Sequence, residues 1–248
     1  MPTFNRQKLW GYLQVKKRRL KDKLHGRQMV HFLHIGKTGG TAVSHALRPH
    51  MHGDRIALYI HAHKVTLRDV PRGEAIFFFV RDPIKRFVSG FYGRQRQDQP
   101  RYFSPWSAAE ARAFSRFDTP NALATALSSP DAPRKQAAED AMHSIQHVRD
   151  SYWYWFDNAA YFRARAADVL FIGHQNTLTA DFERLKVLLH LPPDVTLPRD
   201  DIHAHRNPGS LDKRLDETAV RNLRAWYQAD YDFLALCAEI DPAHHTRS

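Results

Sequence analysis

The sequence predicts an α/β fold in which a central parallel sheet is flanked by helices. Three short apolar runs have the length of a strand, and each leads into a turn and then into residues with helical spacing: Val30–Ile35, Ala75–Val80 and Val169–Ile172. This alternation is typical of parallel sheets, because parallel neighbours need a crossover connection. With 248 residues, 43% of them hydrophobic, the chain suits one domain with a sizeable core.

Residues 1–28 are predicted to form a basic amphipathic arm that precedes a single domain, 29–248. The arm contains nine Lys or Arg residues and one Asp, so it carries +8 of the net charge of +11. Four leucines share one face of a helical projection: Leu9, Leu13, Leu20 and Leu24. The arm either contacts an anionic membrane surface or acidic glycan, or packs on the domain through these leucines. The second interpretation is favoured, since four leucines make only a modest membrane face.

Composition also bears on location. The single cysteine, Cys237, excludes an intramolecular disulfide and fits a reducing compartment. No apolar run reaches the ~20 residues that a membrane span needs, and no apolar segment of a signal peptide follows the basic start. We therefore expect a cytoplasmic protein, with the arm as the segment that would touch the inner face of the membrane.

The first strand leads into the loop Gly36-Lys37-Thr38-Gly39-Gly40-Thr41, and a helix follows it. Backbone N–H groups in such a loop converge on one anion beside the positive end of the helix dipole. Glycines let the backbone approach closely, and the lysine adds a mobile charge. A Walker A loop would need glycine at position 31, which is His31 within the strand. The sequence therefore predicts a phosphate-binding loop of another kind.

The order of strand, Lys-Thr-Gly-Gly-Thr and helix resembles the 5′-phosphosulfate loop of sulfotransferases that use 3′-phosphoadenosine 5′-phosphosulfate (PAPS). Carbohydrate members read His-x-Pro-Lys-Thr-Gly-Gly-Thr, and this chain departs only at Gly36, which replaces proline. The resemblance implies a P-loop-like sulfotransferase fold and PAPS as co-substrate without a metal. It also implies that Lys37 stabilises the leaving group, and that the donor is held by Lys37, Thr38, Gly39, Gly40 and Thr41.

The pair His61-Ala62-His63 follows a further short strand, Ile56–Ile60. Transfer to an alcohol requires loss of the hydroxyl proton, and an imidazole with a pKa of ~6.5 suits its removal near neutral pH. Zinc is the alternative, but no cysteine pair or nearby carboxylate completes a tetrahedral set, so we predict no metal. The pair resembles the catalytic segment of uronyl and heparan sulfate 2-O-sulfotransferases. His63 is favoured as general base over His61, and two histidines that merely cap a strand remain the structural alternative.

The strand Ala75–Val80 runs directly into Arg81, and Asp82-Pro83 then opens a helix as N-cap and first residue. Arg81 lies at the carboxyl end of its strand, where open α/β sheets bind ligands. Ser89 follows about two helical turns later, and a guanidinium with a hydroxyl suits a terminal phosphate. The string Val-Arg-Asp-Pro-x-x-Arg-x-x-Ser resembles the 3′-phosphate motif of the same family. The resemblance implies that Arg81 and Ser89 hold that phosphate.

The remaining candidates are weaker. Three arginines suit either an anionic acceptor or an ordinary solvated face: Arg94, Arg96 and Arg101. The segment Ser151–Phe156 is interpreted as aromatic core rather than as a sugar platform. Arg206 lies in a polar stretch that either closes over the nucleotide to touch the 3′-phosphate, as the resemblance implies, or is only a linker. The last helix, from about Leu215, places one apolar stripe that ends at Cys237.

Taken together, the resemblance implies a soluble, bacterial-type enzyme that moves the sulfuryl group of PAPS to a hydroxyl of a carbohydrate or glycolipid. Adenosine 3′,5′-bisphosphate is the second product. Two alternatives are a P-loop kinase-like phosphotransferase, which the misplaced glycines disfavour, and a non-catalytic polyanion-binding protein. The concentration of charge in the arm disfavours the latter, and no nucleic-acid partner is expected. The acceptor, the position sulfated and the oligomeric state are left open.

Overall fold

The computed structural model describes residues 17–198, 208 and 210–241, and within them four parallel strands form one sheet. The strands are β1 (Gln28–Leu33), β2 (Ile56–Ile60), β3 (Ala75–Val80) and β4 (Val169–His174), and their spatial order is β2-β1-β3-β4. The predicted parallel α/β fold is confirmed, and β4 runs two residues beyond its predicted end at Ile172.

Helices connect the strands and cover the sheet. The bounds are α1 (residues 17–24), α2 (Gly40–Leu47), α3 (Pro83–Gln95), α4 (Ala108–Phe114), α5 (Pro120–Ala126), α6 (Ala132–Ser144), α7 (Trp153–Phe156), α8 (Ala159–Arg163), α9 (Leu178–Leu188), α10 (Glu217–Trp226) and α11 (Gln228–Ile240). The start of α3 is as predicted, because the Asp82 carboxylate accepts the Lys85 N–H at 2.9 Å and Pro83 is the first helical residue.

The strand register brings the three predicted motifs to one edge of the sheet. β1 lies between β2 and β3, with Phe32 opposite Ile60 on one side and Leu33 opposite Phe78 on the other. Since all strands run parallel, the loop after β1, the histidines after β2 and Arg81 after β3 leave the sheet together. This is the edge at which open α/β folds bind ligands.

Alternate residues of the strands build a core on each face of the sheet. Phe78 packs with Trp155, Phe156 and Phe233 on one face, which confirms that the segment Ser151–Phe156 contributes core. Phe77 and Phe79 point to the opposite face, under α2 and α9. A third core joins α3, α5, α6 and α10 beside the sheet and includes Phe87, Phe91, Leu123, Met142 and Leu223.

The C-terminal apolar stripe belongs to two helices rather than one. α10 ends at Trp226 and α11 begins at Gln228, with Tyr227 between them outside helical geometry at φ −98° and ψ 22°. Leu223 packs in the helical core, whereas Phe233 and Cys237 pack on the sheet. Helical spacing cannot reveal a break of one residue, because the apolar pattern continues through it. Cys237 is buried, as predicted.

α1 attaches to the domain through polar residues, contrary to the favoured interpretation. Arg18 lies over the ring of Tyr59 and donates to the carbonyl oxygens of Met51 and Leu58, while Asp22 accepts the Tyr59 hydroxyl at 2.7 Å. Two of the predicted leucines point outward instead, since Leu20 is 61% exposed and Leu24 78%. Leu9 and Leu13 lie outside the described residues. Among the described helices, none is long and apolar enough to cross a membrane.

Candidate active site

A cavity of about 1280 Å³ opens at the carboxyl edge of the sheet. It is lined by predicted site residues from all three motifs: Lys37, Gly39, Gly40, Thr41, His63, Arg81 and Ser89. Residues 175–180, which include the turn after β4 and the first turn of α9, form another part of the wall together with residues 196–198. The volume exceeds the 300–1,000 Å³ typical of a small-molecule site. The cavity is therefore large enough for two substrates.

The glycine loop opens the N-terminus of α2 toward this cavity. Gly39 caps the helix in the left-handed region, with φ +89°, which glycine adopts without strain. At Gly40 an added Cβ would lie 2.3 Å from Cδ2 of His34, so no side chain fits there. The N–H of Ala42 donates to the Gly39 carbonyl oxygen at 3.1 Å. The N–H groups of Gly40 and Thr41 come too early in the helix for a helical partner and suit an anion.

Thr38 contributes less to this loop than predicted. It is buried, and its hydroxyl donates to the Ile35 carbonyl oxygen at 3.0 Å. A hydroxyl has one proton to donate, so this bond braces the loop and only the backbone amide of Thr38 is left for a ligand. Thr41, in contrast, lines the cavity.

The side chain of Lys37 is buried at the base of the loop, and its backbone has a left-handed conformation with φ +66°. Its side chain passes over Gly93 of α3, where an added Cβ would lie 2.4 Å from Nζ. Nζ lies 3.6 Å from Oδ1 of Asp98. Burial lowers the Lys37 pKa to about 8, and the Asp98 carboxylate opposes that shift. The ammonium is therefore charged at neutral pH, although little water reaches it.

Two arginines connect the loop to β3 and α3. The Arg81 guanidinium lines the cavity and donates from Nη1 to the Lys37 carbonyl oxygen at 3.2 Å. Arg86, which the sequence places within the same motif, is fully buried. It donates to the carbonyl oxygens of Gly36 at 3.0 Å and Asp150 at 2.6 Å. Arg86 therefore fixes the loop from behind and has a structural role.

His63 lies in the cavity wall, and its hydrogen bond determines which ring nitrogen carries the proton. Its Nδ1 is 2.7 Å from the carbonyl oxygen of His34, and a carbonyl can only accept, so Nδ1 carries the proton. Nε2 of the neutral ring then keeps its lone pair. Burial lowers the pKa of His63, the bond to His34 opposes this, and the Lys37 charge lowers it further. The imidazole is thus neutral at pH 7 and able to accept a proton.

His61 is placed differently. Its Nε2 lies 2.8 Å from Nδ1 of His31, and Nε2 of His31 lies 2.7 Å from the Glu74 carboxylate. Because the carboxylate accepts from His31, the free lone pair of His31 is on Nδ1, and His61 must donate to it. His61 is not among the described residues that line the cavity. It belongs to a polar cluster under α1, whose Arg19 also pairs with Glu74.

Two further histidines line the cavity that sequence reasoning did not assign to the site. The rings of His34 and His63 have centroids 4.0 Å apart, and the ring of His147 meets that of His63 edge-on at 5.6 Å. Burial lowers the pKa of His34 and of His147 well below the ordinary value. His34 stands next to the loop motif and was within reach of sequence reasoning. No local pattern marks His147, which follows α6 far along the chain.

The structure separates the three arginines that were assigned to the acceptor. Arg101 is exposed and lines the cavity beside Tyr102, whereas Arg96 is half-buried and is not among the described lining residues. Arg94 is 1% exposed and donates to Glu110 at 2.8 and 3.0 Å and to Asp98 at 2.5 Å. These bonds make Arg94 part of the framework, and its predicted contact with an acceptor conflicts with its burial.

Ser89 of α3 lines the cavity, whereas Phe87 of the same helix is buried. Arg206 lies outside the described residues. Within the part of the chain that is described, no three His, Cys, Asp or Glu side chains are arranged to hold a metal ion.

A model described as the sulfotransferase family matches residues 24–235. This span contains the glycine loop, both histidines of the His-x-His pair and the Arg81 motif. No curated protein matches the chain.

Proposed function

Because the chain belongs to the sulfotransferase family, we propose that it transfers the sulfuryl group of PAPS to a hydroxyl of a carbohydrate or glycolipid acceptor. One observation carries this proposal. Three groups face the same cavity. They are the anion-binding loop Lys37–Thr41, the Arg81 guanidinium with the Ser89 hydroxyl, and the neutral imidazole of His63.

The two parts of the proposed donor site follow neighbouring strands of the sheet, since the glycine loop comes after β1 and Arg81 after β3. Backbone amides of Gly39–Thr41 and the Thr41 hydroxyl bind the 5′-phosphosulfate at the positive end of α2. Arg81 and Ser89 bind the 3′-phosphate from β3 and α3. The bond from Arg81 to the Lys37 carbonyl oxygen holds these two ends in a fixed relation before any nucleotide arrives. The cavity leaves room for the acceptor beside the nucleotide.

In the proposed reaction His63 takes up a proton and Lys37 stabilises the leaving group. Nε2 of His63 removes the hydroxyl proton as the acceptor oxygen attacks sulfur. The bond between sulfur and the phosphate oxygen breaks, and adenosine 3′,5′-bisphosphate leaves with the electron pair. Lys37 stabilises the charge that develops on that oxygen. The products are the sulfate ester, the bisphosphate and a proton on His63, which later passes to water.

The acceptor class rests on the resemblance to carbohydrate O-sulfotransferases and on the mouth of the cavity. Arg101 and Tyr102 are exposed there, and an aromatic ring beside a guanidinium suits an acidic sugar.

We also propose that α1 contacts an anionic membrane surface. Leu20 and Leu24 point outward together with exposed lysines, while Arg18 and Asp22 attach the helix to the domain.

Calorimetric titration with adenosine 3′,5′-bisphosphate, and separately with ATP plus magnesium, tests the donor site. We expect the bisphosphate to bind without metal, and Arg81→Ala to abolish that binding. Arg112 is exposed on α4, and Arg112→Ala is the matched control that should bind as the wild type does. Binding of Mg-ATP without the bisphosphate would overturn the proposal in favour of a kinase. Salt-sensitive binding of a sulfated polysaccharide, without either nucleotide, would favour a non-catalytic polyanion binder.

A further inference from the structure

His147 occupies a space that two glycines leave open. An added Cβ at Gly36 would lie 2.6 Å from Nδ1 of His147, and one at Gly90 would lie 3.3 Å from the His147 carbonyl carbon. Gly36 has no positive φ, so glycine serves there to give room rather than backbone freedom. The resembling sulfotransferases have proline at this position. A proline carries a Cβ, so Gly36 and His147 form a matched pair in this chain.

The backbone around His147 is held in an uncommon conformation. His147 has φ +68°, which is rare for a residue other than glycine and persists where the surroundings fix it. Three contacts fix this turn. The Gln146 N–H donates to Glu110 at 3.1 Å, the Tyr227 hydroxyl donates to the Val148 carbonyl oxygen at 2.9 Å, and Arg86 binds the Asp150 carbonyl oxygen. The position of the imidazole is thus specified from several elements.

One ring nitrogen of His147 faces protein and the other is left for the cavity. Nδ1 is buried against Gly36 and has no hydrogen-bond partner among the described residues. A buried N–H without a partner is costly, so the neutral ring is expected to carry its proton on Nε2. The two nitrogens point to different sides of the ring, and His147 is 6% exposed in the cavity wall. Nε2–H is then a donor that no described protein group uses.

The surroundings explain why this donor is uncharged. Burial keeps the pKa of His147 well below its ordinary value, and the nearby Lys37, His63, Arg86 and Arg94 lower it further. The ring stands beside the Gly36–Lys37 segment and edge-on to His63. It therefore borders the space between the glycine loop and His63.

We propose that His147 is a further catalytic residue, which donates its Nε2–H to an oxygen of the sulfuryl group of PAPS. This inference rests on the proposed function. The sulfuryl oxygens carry negative charge, and a fixed neutral donor stabilises them without adding another cation beside Lys37. The adenosine bisphosphate product lacks these oxygens, so His147 distinguishes donor from product.

Calorimetry on the whole protein with PAPS and with adenosine 3′,5′-bisphosphate tests the proposal. His147→Ala should weaken PAPS binding by about tenfold and change bisphosphate binding by less than about twofold, because only PAPS receives the bond. His147→Gln keeps an N–H donor at similar reach and should recover part of the loss. Equal weakening of both ligands, or no change in either, would overturn the inference. If the wild type binds neither ligand, the proposed function fails, and this inference fails with it.

A second variant tests the same contact from the other side. Gly36→Ala places a methyl group where the ring lies, and should weaken PAPS binding selectively, as His147→Ala does. In the His147→Ala background the methyl group has room, so Gly36→Ala should then have no further effect. Additive losses in the double variant would overturn the pairing. Thermal melting of each variant shows whether the fold is retained.

Discussion

Nδ1 of His63 lies 2.7 Å from the carbonyl oxygen of His34, the residue that precedes Ile35 at the start of the glycine loop. This contact orients the imidazole and determines which nitrogen is free. It also ties the proposed base to the same chain segment that positions the donor. We therefore expect a change in the loop to alter the orientation of the base.

The two histidines of the His-x-His pair should respond differently to the same substitution. His63→Asn is expected to lower turnover by about 10²–10⁴-fold, the usual contribution of a general base, without loss of bisphosphate binding. His61→Asn is the matched control, since its ring donates to His31 away from the cavity. The turnover of both variants is measured as the release of adenosine bisphosphate from PAPS, with an acidic glycan as acceptor. A greater loss in His61→Asn would exchange their roles.

Removal of the buried ammonium should affect turnover more than binding. Lys37→Ala is expected to lower turnover by about 10²–10³-fold, because charge on the leaving oxygen loses its stabilisation. Bisphosphate binding should survive in part through the amides of α2 and through Arg81. Lys64→Ala, an exposed lysine next to His63, serves as control. Wild-type turnover in Lys37→Ala would remove this lysine from the mechanism.

The pH dependence of kcat/KM should be bell-shaped. Protonation of His63 as the pH falls removes the base, and its lowered pKa places this limb below about pH 6.5. Loss of the Lys37 proton as the pH rises produces the other limb, near its pKa of about 8. Asp98→Asn removes a carboxylate that raises the Lys37 pKa, so the alkaline limb should move to lower pH while the acid limb stays. A shift of the alkaline limb upward would contradict the assignment.

Arg94 and Arg101 should separate stability from acceptor binding. Arg94→Ala leaves Glu110 and Asp98 buried without their partner, and loss of one member of a buried ion pair typically costs about 3–5 kcal/mol of unfolding free energy. Arg101→Ala should leave the melting temperature unchanged and raise KM for an acidic acceptor. Denaturant unfolding and steady-state kinetics on both variants make the comparison. Equal stability of the two variants would contradict the framework role of Arg94.

The protein should bind, through α1, to vesicles that contain phosphatidylserine, and it should not bind neutral vesicles. Binding should weaken as salt increases, and Leu20→Ser with Leu24→Ser should reduce it at least about tenfold, because apolar burial is lost. The matched control is Val187→Ser with Leu188→Ser, because both residues are exposed at the end of α9. Cosedimentation with sucrose-loaded vesicles measures each. If both pairs behave alike, the outward face of α1 has no special role.

The fold and the donor loop were predictable because their signals are local. The strand Ala75–Val80 and the cap at Asp82 involve neighbours in sequence, and the structure has both where the pattern indicated. The environment of His61 depends instead on Glu74 and α1, which approach only in the folded chain. Arg94 looked like any surface arginine, because its partner Glu110 is on a later helix.

His147 was unpredictable for a related reason. Its place in the cavity wall depends on Gly36 and Gly90, two residues whose common feature is an absent side chain. A glycine in place of the proline of the resembling loop was a visible departure in the sequence. What fills the space it leaves is visible only in three dimensions.

Tyr227 links the helical core to the core on the sheet. Its ring is buried in the helical core, its hydroxyl binds the turn that carries His147, and the next helix carries Phe233 into the sheet core. Loss of either core would release the anchor of the other. We therefore expect calorimetric unfolding in a single transition, in which the two C-terminal helices and the cavity wall are lost together rather than one before the other.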